Sequence, residues 1–217
     1  MRESAGKMAK RHWDSYWIKK EDNPLFNFYR KQIFARAVDY YINRYFPRKG
    51  VFVEAGCGSG QTSSRISKHK RTLIAVDFSA VALKGARKNK KFDRLIQADI
   101  SKLPFKSNSI DGIWNLGVME HLTEKEIKKA LDEFYRVLKK DRHIILFWAT
   151  KITPYQLCLD SYNQLFKKNF QLFPDEHNRL ASKTHARKII SKTRFKGCSV
   201  FFSWRDLFTD IVIVARK

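Results

Sequence analysis

The sequence predicts a doubly wound α/β fold: a seven-stranded sheet, mostly parallel, with helices on both faces and an antiparallel C-terminal hairpin strand. Three observations lead there. Short apolar runs alternate with helix-length segments from residue 51 to residue 148. A glycine-rich turn, Gly56-Cys57-Gly58-Ser59-Gly60, directly follows the first of those runs. Two apolar runs close together end the chain. Strands separated by helical segments need right-handed parallel crossovers, whereas two runs joined by a short turn pair antiparallel.

Ahead of the sheet, residues 27–46 place Ile33, Ala37, Tyr40 or Tyr41, and Arg44 or Tyr45 at helical spacing, so one or two amphipathic helices precede the glycine turn. Pro47 and Gly50 end that segment. Residues 51–55 read as a buried strand, 61–69 as a helix and 73–77 as a strand. A helix with Ser79 as its N-cap spans 79–89, and 95–99 and 109–115 are the next strands. The clearest helix start is Thr123-Glu124-Lys125-Glu126, a capping box ahead of Ile127, Ala130, Leu131, Phe134, Val137 and Leu138 on one face. Residues 143–148 form a fifth strand, and 199–204 and 210–215 the closing hairpin. Between 151 and 196 no clean period stands out, and residues 173–180 read as a loop.

At 217 residues the chain has room for one domain with a sizeable core. The expected division is an N-terminal helical extension, 1–48, and a single domain, 49–217. No apolar run approaches the roughly 18 to 20 residues that span a bilayer, and the basic N-terminus lacks the apolar segment of a secretory signal, so a cytoplasmic location is expected. Cys57, Cys158 and Cys198 show neither paired spacing nor an even count, which predicts reduced thiols and no metal site. The net charge of +23 would attract anions: a nucleic acid, an anionic membrane surface or an anionic small molecule. The lysines and arginines are scattered, however, and no block of five or six stands in a row.

A strand, a glycine turn and a helix start together make a nucleotide cradle. The dinucleotide fingerprint would place a glycine at Gln61, but this chain has it one residue early, at Gly60, after Glu54. Asp77 closes the strand Leu73-Ile74-Ala75-Val76, about twenty residues past the first glycine, where an acid can accept from ribose hydroxyls.

Five segments in order resemble the motifs of class I S-adenosylmethionine-dependent methyltransferases. They are Glu54-Ala55-Gly56-Cys57-Gly58-Ser59-Gly60; Ala75-Val76-Asp77-Phe78-Ser79; Gln97-Ala98-Asp99-Ile100 with Leu103-Pro104-Phe105; Ile110-Asp111-Gly112-Ile113-Trp114 with Met119-Glu120-His121; and Arg136-Val137-Leu138-Lys139. The resemblance covers 51–149 and implies a Rossmann-like sheet and the cofactor S-adenosyl-L-methionine, released as S-adenosyl-L-homocysteine. It further implies that Glu54, Gly56, Cys57, Gly58 and Gly60 wrap the methionine end and that Asp77 holds the ribose. Phe78 would pack on adenine, Asp99 would accept from its amino group beside Ile100, and Asn115 and Leu116 would lie next to the sulfonium and carboxylate. Where the family commonly has proline and two glycines, this chain has Lys140-Asp141-Arg142-His143.

Methyl transfer from a sulfonium is an in-line displacement, so the protein chiefly aligns the acceptor and excludes water. Where the acceptor carries a proton, His121 is the candidate base and Glu120 its orienting partner. The aromatic stretch His12-Trp13-Asp14-Ser15-Tyr16-Trp17 resembles a lid segment, and 151–196 is where acceptor specificity is expected. The expected acceptor is a small molecule or a glycan or lipid precursor. The alternatives are RNA or protein as acceptor, or a partner subunit that binds the cofactor without catalysis.

Overall fold

The computed structural model describes residues 5–19, 27–151, 161, 164–165 and 178–217, with side chains of the first helix described for 11–18. Most of the loop expected at 173–180, and Cys158, lie outside the described residues. Seven strands form one sheet: β1 (Lys49–Ala55), β2 (Lys70–Asp77), β3 (Arg94–Gln97), β4 (Ile110–Leu116), β5 (Leu138–Ala149), β6 (Lys196–Phe202) and β7 (Asp210–Arg216). Their order is β3-β2-β1-β4-β5-β7-β6. The first five are parallel neighbours, and β7 runs antiparallel to both β5 and β6. The fold class read from the sequence is therefore the one observed. The reversal of strand order beside β1 leaves a crevice at the carboxyl ends of the parallel strands, where ligands of such sheets bind.

Among the described residues the helices that flank the sheet include α1 (Ala5–Lys19), α2 (Ala35–Tyr45), α3 (Ala80–Arg87), α4 (Glu124–Val137) and α5 (Lys183–Ser191). The central strands are apolar on both faces because a helical layer covers each. On one side Ile127, Leu131, Phe134 and Ile190 pack with Val53, Ile113 and Ile144. On the other, Val38, Tyr41 and Ile42 pack with Phe52, Trp114 and Phe147. Thr123 caps α4 as expected: its hydroxyl accepts from Glu126 N–H at 3.3 Å, and Glu126 Oε2 accepts from Thr123 N–H at 2.9 Å. Thr123→Ala removes the hydroxyl from this exposed box and should cost about 1 kcal/mol in a urea denaturation, without changing the slope.

Four local differences from the sequence reading have physical causes. The helix expected over 61–69 is a single 3₁₀ turn, Gln61–Ser63. Side chains from elsewhere take up its backbone: Asp39 Oδ1 accepts from Ser67 N–H at 2.6 Å, Arg71 Nη1 donates to Ser67 O at 2.9 Å, and Lys91 Nζ donates to Ile66 O at 3.2 Å. Ahead of α2 the chain makes a π-helical segment, Tyr29–Phe34, and its wider turn shifts the inward face to Phe34, Val38, Tyr41 and Ile42, leaving Ile33 half-buried. Helix α5, inside the stretch without a clean period, buries only Ala186 and Ile190 and starts at the Ser182 cap. Strand β5 begins at Leu138, directly from α4, in place of 143. Asp141 supplies the left-handed residue there (φ 60°) that a glycine would give, and its N–H donates to Lys217 O at 3.2 Å.

Candidate functional site

The carboxyl ends of β1, β2 and β4 bring most of the predicted site residues to one edge. The chain leaves β1 by folding back on β2, with Gly56 N–H and Cys57 N–H both donating to Val76 O, at 2.8 and 3.0 Å. Gly56 and Gly58 have φ of 77° and 51°, left-handed conformations that disfavour other residues. A Cβ at Gly58 would lie 2.7 Å from the Trp17 ring, and one at Gly56 would strike Val118. The loop is thus a surface of bare backbone.

Asp77 ties this loop to the next motif. Its Oδ2 accepts from Gly58 N–H at 2.8 Å and its Oδ1 from Ser79 N–H at 2.9 Å, with 5% of the residue exposed. Burial, reinforced by the nearby Asp14, raises its pKa above the ordinary carboxylate value, and the backbone donors oppose that rise. Glu54 is buried beneath the loop. It accepts from Ser63 Oγ at 2.7 Å, and the same Ser63 oxygen accepts from Trp114 Nε1 at 3.3 Å. Burial pushes the Glu54 carboxyl up to about 8, despite the hydroxyl donors. Cys57 is buried against Glu54 and Asp77, and its thiol is raised by burial, which keeps it protonated.

The other predicted positions divide. Asn115 is buried at the end of β4, its amide donates to Ala55 O, and its Oδ1 is buried without a hydrogen-bond partner. Leu116 and Phe78 are half-buried. Asp99 is exposed, with one oxygen accepting from Ser101 N–H at 2.8 Å; Ile100 beside it is half-buried. Glu120 and His121 sit in a 3₁₀ turn, Met119–His121, where Glu120 is buried and His121 half-buried. Among the described residues no group of three or more His, Cys, Asp or Glu could hold a metal.

Helix α1 covers this edge through contacts between residues far apart in the chain. Trp17 lies on Gly58, Asp14 accepts from the Ser79 hydroxyl, and the Trp13 and His121 rings meet edge to face at 4.8 Å. The partners Ser63 and Trp114 of Glu54 also escaped the sequence reading. Ser63 stands in the segment expected to be helical, and Trp114 lies on another strand, far along the chain from Glu54.

Residues 53–146 match the family model described as a methyltransferase domain. A Mycobacterium tuberculosis protein named "Probable S-adenosylmethionine-dependent methyltransferase MT3114" is 31% identical over 101 residues, covering 46% of this chain and 36% of that protein. A malonyl-[acyl-carrier protein] O-methyltransferase of Enterobacter lignolyticus is 34% identical over 88 residues, covering 40% of this chain and 34% of its own. The match thus spans about a third of the length of these relatives. The crystal structure of an Archaeoglobus fulgidus SAM-dependent methyltransferase superposes with a TM-score of 0.63 at 17% identity, over 84% of this chain and 94% of that one, a likeness of fold. Over residues 53–146 the chain is thus similar to S-adenosylmethionine-dependent methyltransferases. The molecule on which the Mycobacterium tuberculosis relative is named as dependent is S-adenosylmethionine.

The residues fit that molecule. S-adenosylmethionine carries no phosphate, so it asks for close backbone approach and acceptors for its ammonium and ribose hydroxyls. The bare glycine loop, the two buried carboxyls Glu54 and Asp77, and the unsatisfied Asn115 Oδ1 would supply those.

Proposed function

We propose that this chain transfers the methyl group of S-adenosylmethionine to a small molecule or to a glycan or lipid precursor. The single observation that carries the reading is the junction at Asp77, where one buried carboxylate holds both the glycine loop, through Gly58 N–H, and the Ser79 cap of α3. When bound, the cofactor supplies an electrophilic methyl on a sulfonium with a good leaving group. The protein's part is to hold, align and dry the site.

On this reading Glu54 and the loop from Gly56 to Gly60 hold the methionine end, with Cys57 as neutral packing. Asp77 accepts from the ribose, Phe78 packs on adenine, and Asp99 with the Ile100 backbone receives its edge. Asn115 and Leu116 lie beside the reacting sulfur. Residues 1–48 serve as a lid and 49–217 as the catalytic domain, with acceptor choice assigned to 151–196. Support for the lid comes from the three α1 contacts, which set Trp13 and Trp17 where aromatic faces would shield and attract a sulfonium.

His121 would accept the proton of a hydroxyl or amine acceptor, a role supported by its ring contact with Trp13 and its seat in the Glu120 turn. His121→Ala should lower kcat by about a hundredfold to ten-thousandfold while leaving cofactor affinity unchanged.

The test is methyl-labelled cofactor incubated with the full chain and with separated small-molecule, lipid, RNA and protein extracts. Label in the small-molecule or lipid fraction supports the proposal. Label confined to RNA, and suppressed steeply by salt, would assign the +23 charge to a nucleic-acid acceptor and overturn it.

A further inference from the structure

The turn between β6 and β7 carries a feature the methyl-transfer reading does not use. Within seven residues it exposes four large apolar side chains: Phe202 (41% exposed), Trp204 (63%), Leu207 (55%) and Phe208 (48%). Leu207 and Phe208 stand in succession in the left-handed region, φ 61° and 59°, a conformation that costs free energy for any residue with a Cβ. Ordinary turn chemistry would put glycine or asparagine at such positions. Here strain is accepted and the side chains it displays are apolar.

The turn is also held stiffly from beneath. Phe208 N–H donates to Ser203 O at 2.8 Å and Leu207 N–H to Trp204 O at 3.2 Å. The Tyr29 hydroxyl donates to Asp206 O at 2.7 Å and lies 2.6 Å from Thr209 Oγ1. Both acids of the turn and its flank face inward, Asp206 with no exposure and Asp210 with 4%. The cations, by contrast, stand with the exposed rings: the Arg205 guanidinium is 4.4 Å from the Trp204 ring and 3.7 Å from that of Tyr40, and Lys183 Nζ is 5.9 Å from the Phe202 ring. The surface is therefore apolar at its tip, basic at its collar and free of exposed acid on the turn.

We propose that this turn docks the chain on an anionic lipid surface. Aromatic and leucine side chains enter the boundary between headgroups and acyl chains, and basic neighbours pair with anionic headgroups. A turn joining two adjacent strands offers projecting side chains and no groove, which suits a deformable lipid interface better than a folded partner. The net charge of +23 adds long-range attraction to the same surface. Because β7 begins opposite the end of β5, with Asp210 facing Ala149, the turn lies at the carboxyl edge of the sheet, the edge that carries the glycine loop and His121. Docking would bring that edge towards the lipid. The inference is independent of methyl transfer and is tested without it.

The experiment is flotation of the full chain with vesicles of phosphatidylcholine alone and of phosphatidylcholine mixed with phosphatidylglycerol. The chain should float with the mixed vesicles, less so at high salt, and not with phosphatidylcholine alone. The double variant Leu207→Gly, Phe208→Gly removes two apolar side chains at positions where glycine relieves strain. It should therefore unfold at the same or a higher temperature, yet bind mixed vesicles about tenfold more weakly or worse. Flotation undiminished in that variant overturns the proposal, as does an intact chain that floats with neither vesicle. Retention on immobilised polyglutamate that depends on Leu207, without flotation, would assign the turn to an acidic protein and overturn it equally.

Discussion

Asp77→Ala is expected to weaken S-adenosylmethionine binding by two to four orders of magnitude, since the two charge-assisted hydrogen bonds proposed from the ribose hydroxyls would contribute about 1.5 to 3 kcal/mol each. The same change strips the acceptor from Gly58 N–H and Ser79 N–H, which the carboxylate holds at 2.8 and 2.9 Å. Leaving those donors unsatisfied in a buried place should cost about 2 to 4 kcal/mol of stability. Asp77→Asn separates the two effects, because an amide oxygen keeps one acceptor but carries no charge. Calorimetric titration alongside urea denaturation distinguishes them: the asparagine variant should retain most of the stability and still bind at least tenfold more weakly. Wild-type affinity in a folded Asp77→Ala chain would remove Asp77 from the site.

Glu54 makes the cofactor-free protein sensitive to pH. Its carboxyl is raised from 4.5 to about 8, chiefly by burial, so the folded chain holds a proton that the unfolded chain has released. The stabilising contribution is fully present below about pH 4.5 and is lost as pH rises through about 8. Asp206, raised by burial to about 7, adds a slope of the same sign. Stability should accordingly fall between pH 5 and 8, by an amount on the order of a few kcal/mol. Glu54→Gln should reduce that fall without abolishing it. A cofactor ammonium beside Glu54 favours the ionised carboxylate, so S-adenosylmethionine affinity should rise with pH, up to about tenfold per unit below pH 8, with a proton released on binding. Titrations in two buffers of different ionisation enthalpy measure that proton. Affinity and proton release that ignore pH in the unsubstituted chain would separate Glu54 from the ammonium.

The sheet was legible because strand period, turn and cap agree locally. Residues 51–55, 73–77 and 143–148 are short apolar runs, Ser79 and Thr123 are caps with hydroxyls, and each stands in the structure where its own neighbours require. Segment 61–69 was misread because its competitors are distant: Asp39 reaches Ser67 across 28 residues and holds the backbone that a helix would have used. Helix α5 escaped because it buries only Ala186 and Ile190 in a basic stretch, too few positions to establish a period. The site divides along the same line. Glu54, the glycines and Asp77 follow a fixed spacing along one chain segment, and that spacing is visible in print. The lid contacts are not, since Asp14 meets Ser79 across 65 residues and nothing in the sequence near Trp13 announces His121.

The proposal that the cofactor is consumed is tested most directly by the number of S-adenosylhomocysteine molecules formed per chain when this chain is given S-adenosylmethionine and fractionated cell extract. Cofactor binding in the micromolar range is expected, with many product molecules per chain, rising with time and depending on one extract fraction. Cofactor that binds as tightly but is recovered unchanged from every fraction would contradict it, and would make the chain a binding subunit.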